Sequence, residues 1–424
     1  MSLRAARAAA AGTVCAVLLA AMPALAAGRA PSPPPIAAGA YALYAPATGQ
    51  MLAGSHVNQE RPIASTTKLM TAAIVLQHVH DLSAVFTYPD YHQAADDSQI
   101  GLHPGDRMTV HDLLIAMMLP SADDAAEDLA ANVGHGSVAR FVSWMNAEAR
   151  RLHLTHTHYS TPIGLDTAGN YSSASDLVRL AQFDLSHFPL FARVVKMPSA
   201  HLATGPAREV TNLNGLIAEY SWVTGVKTGH TSGAGYVLVA SGQRDGMRLI
   251  SAVLGTDSEV ARDTNALALL DYGYSDFRTW TPVHARQALA HPTVKDRPGL
   301  RVPVRAARSF TRVLARDSHV HLRVKVPDQL VGPLPSGAVV GSAAVLDGDR
   351  TLTHVPIVLE RRLPAVSRLA IAARFITRPW MLTILAVAAA AALAGGLAMA
   401  RRGRAGGGRG ARPADPTGSG WGHA

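Results

Sequence analysis

The sequence predicts an α+β domain built on an antiparallel sheet, followed by a small β domain and one apolar helix near the C-terminus. Three observations carry this reading. Between Ala40 and about Phe277, strand-like segments stand at the two ends and helix-like segments fill the middle, the order expected when helices pack on an antiparallel sheet. From about 278 to 360 the pattern changes to short runs (LRVPV, HVHLRVKV, AVVGSAAVL, HVPIVL) separated by Pro and Gly, which reads as a small β domain. Residues 380–400 carry no charge, enough to cross a hydrocarbon core of about 30 Å.

The elements follow in order. AYALYA, a Thr48-Gly49 turn and QMLAG make a hairpin. Apolar spacing predicts helices over 66–79, 111–118, 123–132, 137–152 and 174–185, and the last carries Asp176 in its first turn. GYVLVAS and RLISAVLG predict strands over 235–241 and 248–255, and a helix follows over 259–272. No internal repeat is found.

Composition bounds the class. With 48% hydrophobic and 16% charged residues, disorder and a coiled coil are excluded. The single Cys, Cys15, excludes a disulfide framework and a multi-thiolate zinc site. The net charge of +9 sits at the two ends, since 27–360 holds 27 basic and 29 acidic residues. No Gly-rich phosphate loop and no basic, aromatic-interleaved surface occurs in that stretch, which excludes nucleotide and nucleic acid. His153, His156 and His158 form the nearest His cluster without a metal motif, so neither metal nor cofactor is expected.

The basic ends read as topology signals. Arg4 and Arg7, the apolar run Thr13–Ala21 and Ala24-Leu25-Ala26 form a secretory signal over 1–26. A Pro-rich linker over 27–39 follows. A catalytic domain over 40–277 and the β domain over 278–360 come next. The basic stretch 361–378 lies on a membrane surface or extends the spanning helix. That helix covers 379–400, and the Arg/Gly-rich tail 401–424 is cytoplasmic by the positive-inside rule.

Three short patterns carry the chemistry. Ser65-Thr66-Thr67-Lys68 starts an apolar helix, and positions three apart share a helix face, so hydroxyl and amine meet. A serine hydroxyl needs a base beside it to act as a nucleophile, and a neutral amine serves. Only five Lys occur against 34 Arg, and an amine that must lose its proton cannot be replaced by guanidinium. The second pattern is Ser121-Ala122-Asp123. Taken alone, Ser121 and Asp124 read as a capping box for the next helix. The third is Lys227-Thr228-Gly229-His230, in a Gly-rich stretch ahead of the strand at 235. Lys227 and Thr228 suit a carboxylate, and Gly229 allows close backbone approach; alone, the stretch reads as a turn before an edge strand.

In this order, S-x-x-K, an S-x-N-like element and K-T-G are the active-site set of penicillin-binding proteins. The chain resembles the low-molecular-mass penicillin-binding proteins that are serine-type D-alanyl-D-alanine carboxypeptidases. The resemblance runs from about Ala40 to Val358 and includes PIASTTKLMTA, LLIAMMLPSADDAAEDLA, PIGLDTAGNYSSASDL and VKTGHTSGAGYVLVAS. It implies the penicillin-binding/β-lactamase-like transpeptidase fold, with Ser65 as nucleophile, Lys68 as base and Ser121 as proton shuttle. It implies Lys227 and Thr228 as carboxylate holders assisted by Arg262, and the amides of Ser65 and His230 as the oxyanion hole. It further implies peptidoglycan stem peptides as substrate, β-lactams as covalent inhibitors and attachment to the inner membrane with the catalytic domain outside. No E-x-x-x-N element of a β-lactamase accompanies the set. A D,D-endopeptidase and a catalytically weak wall-binding scaffold are the alternatives. Asp123 departs from the usual Asn: an ionised carboxylate only accepts hydrogen bonds, and as an anion it favours the ammonium of Lys68. The expectation is that Asp123 limits the enzyme.

Overall fold

The computed structural model describes residues 31–89, 98–205, 208–365, 367, 372–373 and 375–405. The signal at 1–26 with Cys15, the first four linker residues and the tail beyond 405 lie outside the described residues. The chain divides into two compact units. The first holds the chain up to His284 with 309–322 and 345–353; the second holds 285–308, 323–344 and 354–424.

The first unit is organised by a five-stranded antiparallel sheet. Its strands are β1 (Ala40–Ala45), β2 (Gln50–Ser55), β7 (Val223–Thr231), β8 (Gly235–Arg244) and β9 (Met247–Thr256), in the order β2-β1-β9-β8-β7. Short pairs β3 (Val85–Thr87) with β4 (Arg107–Thr109), and β5 (Ser199–Leu202) with β6 (Arg208–Thr211), lie outside it. Side chains alternate across a strand, and β8 uses both faces. Val237 and Val239 enter one core with the helices α1 (Lys68–His78), α2 (Val110–Met118), α3 (Asp123–Val133), α4 (Val138–Arg151) and α5 (Ala174–His187). Leu238 and Ala240 enter a second core with Ala266, Leu269 and Leu270 of α8 (Glu259–Asp276). The single-turn helices α6 (Pro189–Val194) and α7 (Leu216–Glu219) complete the unit. A strand covered on both faces reads as a continuous apolar run, which is how GYVLVAS reads.

The predicted hairpin, helices and two strands are found, with boundaries shifted by up to four residues at the end of α8. The third motif is corrected. Lys227–His230 is not a turn ahead of a strand; it lies inside β7, at the edge of the sheet. A lysine, a threonine and two glycines break the apolar alternation that marks a strand, although Lys227 and Thr228 are both buried.

Helix α1 is buried from Lys68 through Val75. A helix apolar on all sides belongs inside a core, and this rigid rod carries the Ser65-x-x-Lys68 pair at its start. Asp176 lies in the first turn of α5, where its carboxylate accepts from the amide of His156 and the hydroxyl of Thr157, both at 2.8 Å.

The second unit has a small core of Val294, Val304, Leu330, Ala343, Ile357, Leu359 and Leu363. Strand Thr293–Val294 pairs antiparallel with Arg297–Arg301 and parallel with Gln329–Leu330. The unit ends in the helix Pro379–Ala405. Its stretch Pro379–Arg402 contains an unburied 18-residue window of mean hydropathy 2.2, and is long and apolar enough to cross a membrane.

Asp124, in the first turn of α3, ties down the preceding loop. Its buried carboxylate accepts from the amides of Ile100, Gly101 and Leu102, and from Ala125. Asp124→Ala leaves three loop amides without this acceptor, at about 1–3 kcal/mol for an unsatisfied buried group. Denaturant unfolding is expected to show a loss in that range, and limited proteolysis to cut faster within 98–106.

Candidate active site

Ser65 lies in a 3₁₀ turn, Ala64–Thr67, that runs directly into α1. This places its hydroxyl at the rim while Lys68 is fully buried. The Lys68 amine donates to Ser65 Oγ at 2.8 Å, to Asp123 Oδ1 at 2.5 Å and to the carbonyl of Ile163 at 3.0 Å. An ammonium has three N–H donors, and three acceptors surround this one.

Gly164, next to Ile163, has φ +101°, and a Cβ there would stand 2.1 Å from the carbonyl oxygen of Ala64. Only glycine lets this segment reach the turn that carries Ser65. The same segment is fixed by Thr71, whose hydroxyl donates to Pro162 O at 2.6 Å, and by Asn170, which donates to Thr67 Oγ1 at 3.2 Å.

Ser121 ends the α2–α3 connection with φ +67°. Its hydroxyl is buried and has no hydrogen-bond partner among the described residues. The capping alternative is not what is seen, since the residue flanking α3 is Ala122, with no side-chain cap. Asp123 uses both oxygens: Oδ1 faces Lys68, and Oδ2 accepts from the Ser98 amide at 3.2 Å.

β7 supplies the third motif. Because β7 is an edge strand, it leaves one row of backbone N–H and C=O groups without a strand partner. Gly229 explains how it approaches Ser65: a Cβ there would lie 3.0 Å from both Ala64 Cβ and the backbone nitrogen of Ser65. Lys227 is buried, and its amine donates to the carbonyl of Thr228 at 3.0 Å. Burial holds its pKa well below the ordinary lysine value. The charges of Lys68 and Arg262 push the same way, and Asp123 opposes them.

His230 is exposed and packs its ring 4.0 Å from that of Tyr236. Arg262, on α8, is buried but spends its guanidinium on Glu259 and Asp263, both at 2.8 Å. Among the described residues it makes no hydrogen bond to Lys227 or Thr228; it acts there through its charge.

The structure thus joins Ser65, Lys68 and Asp123 by hydrogen bonds and brings Lys227 within reach of their charges. Three contributors were not read from the sequence. The Ile163 carbonyl holds Lys68. Asp124 holds the loop that carries Ser98. Asp166 accepts from Thr231 Oγ1 and from the Gly233 amide, both at 2.7 Å, and so fixes the turn after β7. Backbone carbonyls leave no compositional trace; Gly164 and Gly169 around Asp166 were the available signal.

The family model for D-alanyl-D-alanine carboxypeptidase matches residues 27–258. The chain belongs to this family. D-alanyl-D-alanine carboxypeptidase DacD of Escherichia coli (strain K12) is 33% identical over 342 residues, covering 77% of this chain and 87% of that protein. D-alanyl-D-alanine carboxypeptidase of Streptomyces sp. (strain K15) is 38% identical over 261 residues, covering 57% and 89%. Among solved structures, penicillin binding protein 6B from Escherichia coli superposes with a TM-score of 0.64 at 31% identity, over 77% of this chain and 96% of that one. The penicillin-binding fold and the serine carboxypeptidase class follow. The matched stretch includes all three motifs and runs through β9.

Asp123→Asn removes the anion beside Lys68 and places an amide donor against either Lys68 or the Ser98 N–H. Breaking a buried ion pair is destabilising, and the retained acceptor softens the loss to about 2 kcal/mol. The variant is therefore expected to unfold at lower denaturant yet to be acylated faster at neutral pH, by about tenfold for each 1.4 kcal/mol of barrier. Slower acylation than the parent at every pH would instead make Asp123 a working proton acceptor.

Lys227 gives a pH test. Its lowered pKa means that it loses its charge as pH rises, well before an ordinary lysine does near 10.4. For a peptide with a free C-terminal carboxylate, kcat/KM is expected to fall over that range through a rise in KM. In Lys227→Arg this alkaline fall should disappear, because the guanidinium keeps its proton. A fall unchanged in Lys227→Arg assigns the titration to another group.

Proposed function

We propose that this serine D-alanyl-D-alanine carboxypeptidase removes the terminal D-Ala from peptidoglycan pentapeptides through an acyl-enzyme on Ser65. The observation that carries the reading is the Ser65–Lys68–Asp123 chain of hydrogen bonds beside an edge strand bearing a buried lysine that pairs with no carboxylate among the described residues. Ser65 Oγ attacks the carbonyl carbon of the penultimate residue, and Lys68 in its neutral form takes the proton. The amides of Ser65 and His230 receive the oxyanion, where fixed donors act on charge as it develops. Ser121 Oγ passes a proton to the departing amine of D-Ala. Water then hydrolyses the ester and frees Ser65.

The substrate's terminal carboxylate is held by Lys227 and Thr228, with Arg262 adding positive potential from behind. An extended peptide lies along β7 as an added strand. β-Lactams acylate the same serine. We place the catalytic unit on the extracytoplasmic side of the inner membrane, anchored by the helix that ends in Arg401 and Arg402, with the tail in the cytoplasm. The peptidoglycan cross-link is the second substrate to be tested, since the same three motifs serve an endopeptidase.

The test uses the purified full chain in neutral detergent. With a pentapeptide ending in D-Ala-D-Ala, free D-Ala is expected at a rate that Ser65→Ala abolishes, and labelled penicillin is expected to map to Ser65. An adduct on Ser121, or full D-Ala release by Ser65→Ala, overturns the assignment. No adduct and no release from the intact chain supports the wall-binding scaffold.

A further inference from the structure

Charge is divided between the two compact units in a way the sum over 27–360 hides. The stretches 27–284, 309–322 and 345–353 carry 19 Lys and Arg against 26 Asp and Glu. The stretches 285–308, 323–344 and 354–365 carry ten against three. Of those ten cations, Arg305 is paired with Glu360 at 2.7 Å, and no other enters an ion pair among the described residues. Most of them are exposed. The cationic unit is also the one whose chain continues into the apolar helix at Pro379.

Inside this unit the hairpin Thr293–Arg301 and the residues just before the spanning helix line a groove of about 690 Å³. Arg297 and Arg378 both line it, with Thr293, Gln329 and Phe375, and Asp296 is the one acid among its lining residues. The Arg378 guanidinium lies 5.8 Å from the centre of the Phe375 ring. Two guanidiniums, neutral donors and an aromatic face at the foot of a membrane-crossing helix match one chemistry. A phosphodiester headgroup accepts from guanidinium N–H groups in a fork, and its glycerol and acyl carbons lie against the ring and the first turn of the helix.

We propose that this groove binds the headgroup of an anionic phospholipid, which seats the cationic unit on the membrane that the helix crosses. Attraction to an anionic surface grows with each cation near it and fades within a Debye length. The acidic catalytic unit is repelled by the same surface, so attraction to the bilayer is confined to the cationic unit. The inference goes beyond the carboxypeptidase reading and does not depend on it.

The test uses the purified full chain in neutral detergent, with phosphatidylglycerol or phosphatidylcholine added and retained lipid counted by native mass spectrometry. Phosphatidylglycerol is expected to be retained over phosphatidylcholine. The preference should fall roughly fivefold for each cation removed in Arg297→Gln and Arg378→Gln, and Arg297→Lys should keep part of it. Thermal unfolding of each variant at the parent's midpoint shows that the fold is intact; where Arg297→Gln unfolds early, Arg378→Gln carries the test. Equal retention of the two lipids overturns the proposal, as does a phosphatidylglycerol preference that both variants keep in full. Displacement by millimolar inorganic phosphate also overturns it, because it identifies a site for soluble phosphate.

Discussion

Two buried lysines beside one carboxylate, with a buried arginine paired elsewhere, set the terms for everything else in the catalytic unit. Lys68, Lys227 and Arg262 are all under 5% exposed, and Asp123 is the carboxylate that faces the lysines. Removing a cation from water is expensive unless it is paired. Lys68 is paired, through three acceptors. Lys227 has one carbonyl, and burial with like charges disfavours its ammonium. In the proposed reading, a peptide that brings a carboxylate to Lys227 restores the balance, and the chain end is recognised by its charge.

That electrostatic arrangement needs a rigid frame, because a displaced amine no longer reaches the serine. The frame comes from apolar packing. Helix α1 is surrounded by α2–α5 and one face of the sheet, so Ser65 and Lys68 keep their three-residue spacing. Two glycines then let backbone approach from either side: Gly164 on the segment whose carbonyl holds Lys68, and Gly229 on β7. Asp124 and Asp166 tie the flanking loop and turn, each by accepting backbone amides. The catalytic groups therefore rest on a helix start and a strand, and the connecting loops are pinned to them.

Much of this was legible in the sequence, and the failures have physical causes. The helices were read from 3.6-residue spacing because each presents an apolar stripe to the core. The β8 and β9 runs were read because both faces of the sheet are covered. β7 was missed as a strand because its central residues are chosen for chemistry and close approach. The hydroxyl, the amine and the third motif were found by residue type and order, while the Ile163 carbonyl carries no side-chain signature. The local S-x-x-D pattern suggested a cap at Ser121; in the fold Asp124 turns to the 98–102 loop instead. Charge summed along 27–360 concealed the opposite signs of the two units, because the chain passes between them several times.

Asp123 is where fold and chemistry pull in opposite directions. As a carboxylate it satisfies two donors that converge on it, the Lys68 amine and the Ser98 amide. An amide side chain has one oxygen and could satisfy only one of them. Stability thus favours Asp at this position. Chemistry asks the reverse in the proposed reading, since a base must be free to take a proton, and here the amine is tied to a carboxylate at 2.5 Å. The loop held by Asp124 delivers the Ser98 amide, so the preference for a carboxylate at 123 is built by its neighbour in sequence. A chain with Asn at 123 would leave either that amide donor or the Lys68 amine without this acceptor. Ser98, Asp123 and Asp124 accordingly form one unit, in which the acid next to the base is matched by the backbone donor brought to meet it.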